Sequence, residues 1–260
     1  MLGAAVAFAL VMLDGAAPAS AAAPICPRQR DACVERLLVE MGRNFAGLGC
    51  DHNAPFALLY WRTTEGIRDA LRAGAFSDRR LWNQVTTAFG RYYLDALAAW
   101  RRGERGRTPA AWRIAFGAAA RERVSTLGDL FLGINAHVNR DLAFVYFRHR
   151  VKSHADHLQV NTVLAGVRSV AFPQIIARLD PALAGQRSGD PALSLDIFAW
   201  RERAWTNARR LARARAGAAR RAVAAAIERH AVAVARRIEA AFAAPRAATR
   251  ARDAFCRGTT

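Results

Sequence analysis

Apolar residues recur at spacings of three and four along most of this chain. After Pro55, for example, they fall at Phe56, Leu59, Tyr60, Ile67 and Leu71. This spacing is typical of an amphipathic α-helix, and no segment shows the sustained alternation that is typical of a strand. The pattern predicts an all-α protein, folded as a single-domain helical bundle of at least six helices.

Capping residues divide the chain into separate helices. Such residues precede the apolar runs at Asp31, Asn53, Asp78, Thr108 and Ser153. Ser, Thr, Asp and Asn side chains accept hydrogen bonds from the first backbone N–H groups of a helix, so we expect helices to begin there. A segment rich in Pro and Gly at 179–194 predicts a long loop, after which the helical pattern resumes.

The composition is compatible with one large core and indicates an anionic partner. The chain has 260 residues, of which 53% are hydrophobic, and its formal net charge is +18. Such a charge attracts polyanions, so the expected partners are an unknown small molecule or an anionic component of the cell envelope. We expect no specific nucleic acid partner, because the chain contains no known nucleic-acid-binding motif.

The beginning of the chain resembles an export signal. An apolar run at 2–13 precedes small residues at 19–23, which is typical of a secretory signal peptide and its cleavage region. We therefore predict a signal peptide over 1–23 and one helical domain over 24–260. The mature protein would be secreted or associated with the cell envelope, with no transmembrane segment after cleavage.

The four cysteines predict two disulfides. They are Cys26, Cys33, Cys50 and Cys256. An even number of cysteines in an exported protein normally pairs, and three of these lie near the beginning of the chain while one lies near the end. One disulfide should therefore tie the two ends of the domain together, although the spacing does not show which cysteines pair. A zinc site is disfavoured because no Cys-x2-Cys spacing occurs.

Four of the six histidines fall between positions 135 and 161, among several Asn and Asp residues. His137 and Asp141 are four residues apart, so both lie on one face of a helix. We predict that His137, Asp141 and His157 hold a divalent metal, most plausibly zinc, which activates a water molecule for hydrolysis. The residues predicted to orient the ligands or act as a general base are His154, Asp156 and Asn161.

Other polar and aromatic residues are expected to line the pocket. These are Tyr60, Arg62, Asn135, Asn139, Arg140, Trp200 and Arg201, while Glu202 and Trp205 could also face it. If segments 130–147 and 154–167 form an antiparallel hairpin, Asp141, His157 and Asn161 should be neighbours. The hairpin would place His137 opposite 163–167, which weakens the predicted metal site.

Two motifs carry a resemblance to a known family. The sequence FLGINAHVNRDLAF at 131–144, followed by DHLQVN at 156–161, resembles a bacterial family of domains of unknown function, DUF5995. The resemblance extends over about 54–212, and the family has no established activity. The His-x-x-x-Asp spacing is also slightly similar to the helical zinc phospholipase C and nuclease families, which implies a metal-assisted hydrolase. Their later His-x-x-x-Glu has no match, because Asn161 lies four residues after His157.

Two functions therefore remain open. One is a metal-dependent hydrolase that uses the His/Asp/Asn cluster. The alternative is a non-enzymatic binding or structural module of the cell envelope, in which the same polar groups recognise a small ligand or fix the packing. The alternative is favoured by the absence of a Gly-x-Ser-x-Gly or His-Glu-x-x-His motif.

Overall fold

The computed structural model describes residues 32–185 and 196–259. The predicted signal peptide, Cys26 and most of the predicted long loop lie outside the described residues. Within the described ranges the only paired extended residues form an isolated bridge between Val124 and Ala243. The predicted all-α, single-domain bundle is confirmed.

Ten α-helices follow one another in the described ranges. They are α1 (Ala32–Leu48), α2 (Ala54–Arg72), α3 (Arg79–Arg101), α4 (Ala110–Ala120), α5 (Thr126–Asn135), α6 (Leu142–His149), α7 (His154–Arg178), α8 (Ile197–Arg213), α9 (Ala218–Ala241) and α10 (Arg246–Thr259). A π-helical turn (Ala136–Asp141) joins α5 to α6, and a short 3₁₀ turn (Pro181–Gly185) follows α7.

Side-chain caps begin several of these helices. Asp78 accepts a hydrogen bond from the backbone N–H of Leu81, and Ser153 accepts one from Asp156. These caps confirm two of the predicted helix starts. The helix predicted from Asp31 is also present, but it continues past Phe45 to Leu48.

The helix that carries the first motif lies at the centre of the bundle. Every residue of α5 is buried, and α5 packs against α2, α4 and α9. Gly133 allows the close approach to α2, since a Cβ atom there would lie 2.4 Å from Cγ of Phe56. This contact fixes Phe56 on the side of α2 that faces the π turn.

The predicted hairpin of the two motif segments is not formed. Helix α7 packs mainly against α2, whereas α6 packs mainly against α8 and α3. Arg150 has a left-handed backbone conformation, with φ of 53°, and ends α6. The chain therefore turns after α6 so that α7 crosses to α2, and the spacing of residues along the motifs does not determine which helices meet.

A disulfide ties the ends of the described domain together. Cys50, after α1, is bonded to Cys256 in α10, with a Cα–Cα distance of 5.8 Å. Arg252 strengthens the same junction by donating to the backbone carbonyl of Cys50. The predicted link between the two ends is confirmed, and it indicates an oxidising compartment, either extracellular or in the cell envelope.

One helix among the described residues is long and apolar enough to cross a membrane. This helix is α7, with a mean hydropathy of 1.3 over its most apolar window, of which 22% is buried. This finding rests on the length and composition of α7 alone. Its contacts with α2 provide its packing in this structure.

Candidate functional site

An apolar cleft of about 110 Å³ lies beside the π turn. Helices α2, α3, α6 and α7 contribute apolar walls, including Leu59, Val85, Leu142 and Val160. The residues with polar side-chain groups on its lining are Tyr60, Thr63, Thr64, Thr86, His137, Tyr146 and Arg201, together with the indole of Trp82. A mostly apolar cavity with a few polar groups is the usual form of a small-molecule site.

His137 presents one ring nitrogen without a partner. Its Nδ1 lies 3.1 Å from a carboxylate oxygen of Asp141, and its ring stacks on Phe89 with the centroids 3.5 Å apart. Nε2 is buried and has no hydrogen-bond partner. Since the carboxylate of Asp141 accepts a hydrogen bond from Nδ1–H, the lone pair is on Nε2. Burial lowers the pKa of His137, although Asp141 opposes the effect, so the ring is neutral at pH 7.

Asp141 is held in place by three donors. The same oxygen that meets His137 accepts a hydrogen bond of 2.8 Å from the indole of Trp112, and Arg140 donates to the other oxygen. Arg140 is in turn paired with Glu228 of α9. The carboxylate therefore fixes both the orientation and the tautomer of His137.

The two asparagines of the first motif anchor the π turn. Asn139 donates to the side-chain oxygen of Asn135, and Nδ2 of Asn135 donates to the backbone carbonyl of Ala231 in α9. Neither side chain lies on the cleft lining, and Arg140 is also absent from it. These three residues, predicted to line the pocket, instead hold the segment that carries His137.

Arg201 reaches the cleft from α8. Its Nε donates to the amide oxygen of Asn161 at 2.7 Å, and its Nη2 donates to the backbone carbonyl of His157 at 2.6 Å. The side chain is 4% exposed. Arg201, which was predicted to line the pocket, lies on the lining of this cleft, and Asn161 is its neighbour.

A second polar group adjoins Arg201. His154, His157 and Glu202 each offer one ligand atom, and these atoms lie within 4.8 Å of one another. Nε2 of His157 is 3.0 Å from one oxygen of Glu202, and Nε2 of His154 is 3.2 Å from the other. Tyr146, which lines the cleft, contacts Nδ1 of His157 through its hydroxyl at 3.1 Å.

The protonation states of His157 and Glu202 suit the binding of a metal ion. Burial lowers the pKa of His157 to about 4, and the charge of Arg201 adds to this effect while Glu202 opposes it. Burial acts to raise the pKa of Glu202, but His154 and His157 outweigh it and lower the value. Near pH 7 His157 is therefore neutral and Glu202 is charged, which are the states that bind metal ions.

The structure divides the predicted metal ligands between two places. His137 and Asp141 form a pair in the π turn, whereas His157 lies with His154 and Glu202. Asp141 makes its hydrogen bonds to Trp112, Arg140 and His137, not to His157 or Asn161. The predicted set of His137, Asp141 and His157 is not among the described groups whose ligand atoms meet within 4.8 Å.

Asp156 anchors a helix junction. Its carboxylate accepts hydrogen bonds from the backbone and hydroxyl of Ser77 and from the indole of Trp82. These bonds fix the beginning of α7 against the beginning of α3. The carboxylate is thus already engaged, which leaves little capacity for the base role that we predicted.

Of three further residues that were predicted to line the pocket, one lies on the cleft lining and two do not. Tyr60 lines the cleft, and its buried hydroxyl has no partner. Arg62 instead donates to Gln174 and Glu65, and Trp200 packs against the main hydrophobic core. Neither Arg62 nor Trp200 is on the cleft lining.

Sequence reasoning missed several aromatic residues of the site. Phe89, Trp112 and Tyr146 contact His137, Asp141 and His157 respectively, yet each fits the apolar period of its own helix. The spacing of apolar residues along a helix does not distinguish an aromatic side chain of the core from one that contacts a polar group. Glu202 carried a weak signal, since it adjoins Arg201 at the beginning of α8.

Comparison with known families gives one match. Residues 34–241 match the family described as "Family of unknown function (DUF5995)". The chain belongs to this family. No curated protein and no solved structure matches the chain. Membership in DUF5995 confirms the resemblance of the two motifs and assigns no activity, so the function must be argued from the cleft and the polar groups around it.

Proposed function

We propose that this DUF5995 protein binds a small, mostly apolar molecule in the cleft beside the π turn. The observation that carries the proposal is Nε2 of His137, which is buried without a partner while Nδ1 is held by Asp141. An unsatisfied buried polar atom costs roughly 1–3 kcal/mol, so a ligand that donates a hydrogen bond would remove this cost. The buried hydroxyl of Tyr60 is a second group without a partner.

The size of the cleft limits the ligand. Its volume of about 110 Å³ is somewhat below the roughly 150 Å³ of a cavity that admits benzene. The ligand, or the part of it that enters, is therefore about one ring or a short branched chain in size. The aliphatic and aromatic walls of the cleft favour an apolar body.

Phenol is a suitable first probe because it combines one ring with one hydroxyl donor. We expect one-to-one binding of phenol, measured by calorimetry, with an affinity that changes less between about pH 8 and pH 6 than it would at a histidine of ordinary pKa. Burial keeps the pKa of His137 below its usual value, so Nε2 remains an acceptor to a lower pH.

The variant His137→Leu tests the hydrogen bond. It should weaken phenol binding about tenfold, the equivalent of one lost hydrogen bond, while toluene binding should be unchanged. His230→Leu, on α9 and away from the cleft lining, is the matched control and should leave both affinities unchanged. If neither phenol nor toluene shows saturable binding to the native protein, the proposal fails.

A second candidate function is metal-assisted hydrolysis at His154, His157 and Glu202. The observation in its favour is that Nε2 of His157 and Nε2 of His154 lie 3.0 and 3.2 Å from the two carboxylate oxygens of Glu202. Ligand atoms bound to one zinc at about 2.0–2.1 Å in tetrahedral geometry are roughly 3.3 Å apart, so little movement would be needed to bind an ion. His154 and Glu202 are 47% and 44% exposed, so water could occupy the fourth position.

Hydrolysis at this group would use an ion-bound water as the nucleophile. One contact opposes the assignment: Nη2 of Arg201 lies 3.3 Å from Nδ1 of His157, and the cationic side chain disfavours a second cation nearby. The two candidate functions use different residues and can be tested separately.

Binding of Co²⁺ provides the test of the metal site. The native protein should take up about one equivalent with the intense visible absorption of a tetrahedral ion. His154→Ala should abolish this absorption, and His230→Ala, which lies outside the group, should not. An unchanged spectrum in His154→Ala, or no uptake by the native protein, would exclude the site.

A further inference from the structure

Arg201 is a buried cation whose hydrogen-bond partners are all neutral. Its partners are the amide oxygen of Asn161 and the backbone carbonyl and Nδ1 of His157. Within residues 32–185 and 196–259, no carboxylate oxygen lies within 4.0 Å of its guanidinium. The adjacent carboxylate, that of Glu202, is directed to His154 and His157 instead.

An uncompensated buried charge is costly. Transfer of a cation out of water costs several kcal/mol unless an opposite charge or sufficient hydrogen bonds offset it, so buried arginines normally have a carboxylate partner. Arg201 lies on the cleft lining together with His137. An anion bound in the cleft would therefore contact a cation that is shielded from water. Charge-assisted hydrogen bonds are strong in such surroundings.

We propose that the cleft recognises a small organic monoanion, an apolar body of about one ring that carries a carboxylate for Arg201. The proposal rests on the proposed function, because it names the class of ligand for the same cleft. Asn161 and the carbonyl of His157 position the guanidinium, and Tyr146 lies beside it on the lining. A ligand with a hydroxyl as well as a carboxylate would also satisfy Nε2 of His137.

The size of the cleft selects among anions. A nucleotide or a phospholipid headgroup with its chains far exceeds about 110 Å³. The apolar walls also disfavour inorganic phosphate or sulfate, which would remain without partners on most sides. Benzoate combines one ring with one carboxylate, and benzyl alcohol is a neutral molecule of nearly equal size.

The test compares these two probes by calorimetry. The native protein should bind benzoate at least about tenfold more tightly than benzyl alcohol, the usual gain from a charge-assisted hydrogen bond. Arg201→Gln should lower benzoate affinity to that of benzyl alcohol and leave benzyl alcohol binding unchanged. Arg201→Lys, which keeps the charge, should retain part of the preference and remains informative if the glutamine variant does not fold.

A matched control distinguishes the effect of Arg201 on benzoate binding from the effect of the positive charge of the whole surface. Arg203→Gln removes one charge from the same helix at an exposed position and should leave the preference for benzoate unchanged. Equal affinity of the native protein for the two probes would overturn the anion assignment but leave the proposed binding function intact. Failure of both probes and of phenol to bind would overturn both proposals.

Discussion

Replacement of Asp141 by alanine is expected to lower the free energy of unfolding by about 3–5 kcal/mol, the usual cost of removing one partner from a buried ion pair. Asp141 is fully buried and accepts from Trp112, Arg140 and His137. The substitution leaves the indole N–H of Trp112 without a partner and removes one of the two carboxylates paired with Arg140. It also releases the ring of His137, so phenol binding should weaken as well.

Chemical denaturation followed by circular dichroism measures this loss. Asp95→Ala is the matched control, because Asp95 forms an i,i+4 pair with Arg91 in which the carboxylate is 39% exposed. Exposed pairs of this kind contribute under about 1 kcal/mol. A similar small loss in both variants would show that the three donors around Asp141 do not stabilise the bundle.

Removal of the Cys50–Cys256 disulfide is expected to cost about 5 kcal/mol in the chain-entropy description. The bond joins residues separated by 206 positions, and the entropy lost from the unfolded chain increases with the length of the closed loop. The Cys50→Ala/Cys256→Ala double variant should therefore unfold at a much lower denaturant concentration than the native protein.

The single variant Cys256→Ala serves as the internal comparison. Breaking the bond accounts for most of the loss, so this variant should be nearly as unstable as the double variant. Cys256 is fully buried, so the lost packing of its side chain adds a smaller contribution in both cases. A loss below about 2 kcal/mol in the double variant would contradict the entropic origin of the effect.

The helical architecture was largely predictable, because it depends on local signals. The caps at Asp78 and Ser153 and the apolar period are properties of neighbouring residues, and the helices begin where these signals occur. The π turn was not predictable. Its six residues include only two apolar ones, Ala136 and Val138, which is too few for an apolar period to distinguish a π turn from an α-helical turn.

The candidate site was predictable only in its local pairs. The spacing of His137 and Asp141 correctly placed them together, since both lie in one turn. The expected contact of Asp141 with His157 and Asn161 depended on a hairpin that does not form, because α7 packs against α2. Contacts such as Trp112 with Asp141 join residues far apart in the chain, and the helical period contains no information on such pairs.

The Cys50–Cys256 bond also gives the protein an unusual covalent topology. Helices α2 to α9 lie on a closed ring of covalent bonds, and α1 lies outside this ring. A protease that cuts once in an exposed turn, such as 101–107, converts the ring into an open chain but releases no fragment. Helices α2 and α3, from one side of such a cut, stay tethered to α7 and α8 from the other, so the cleft between them could survive proteolytic nicking in an extracellular environment.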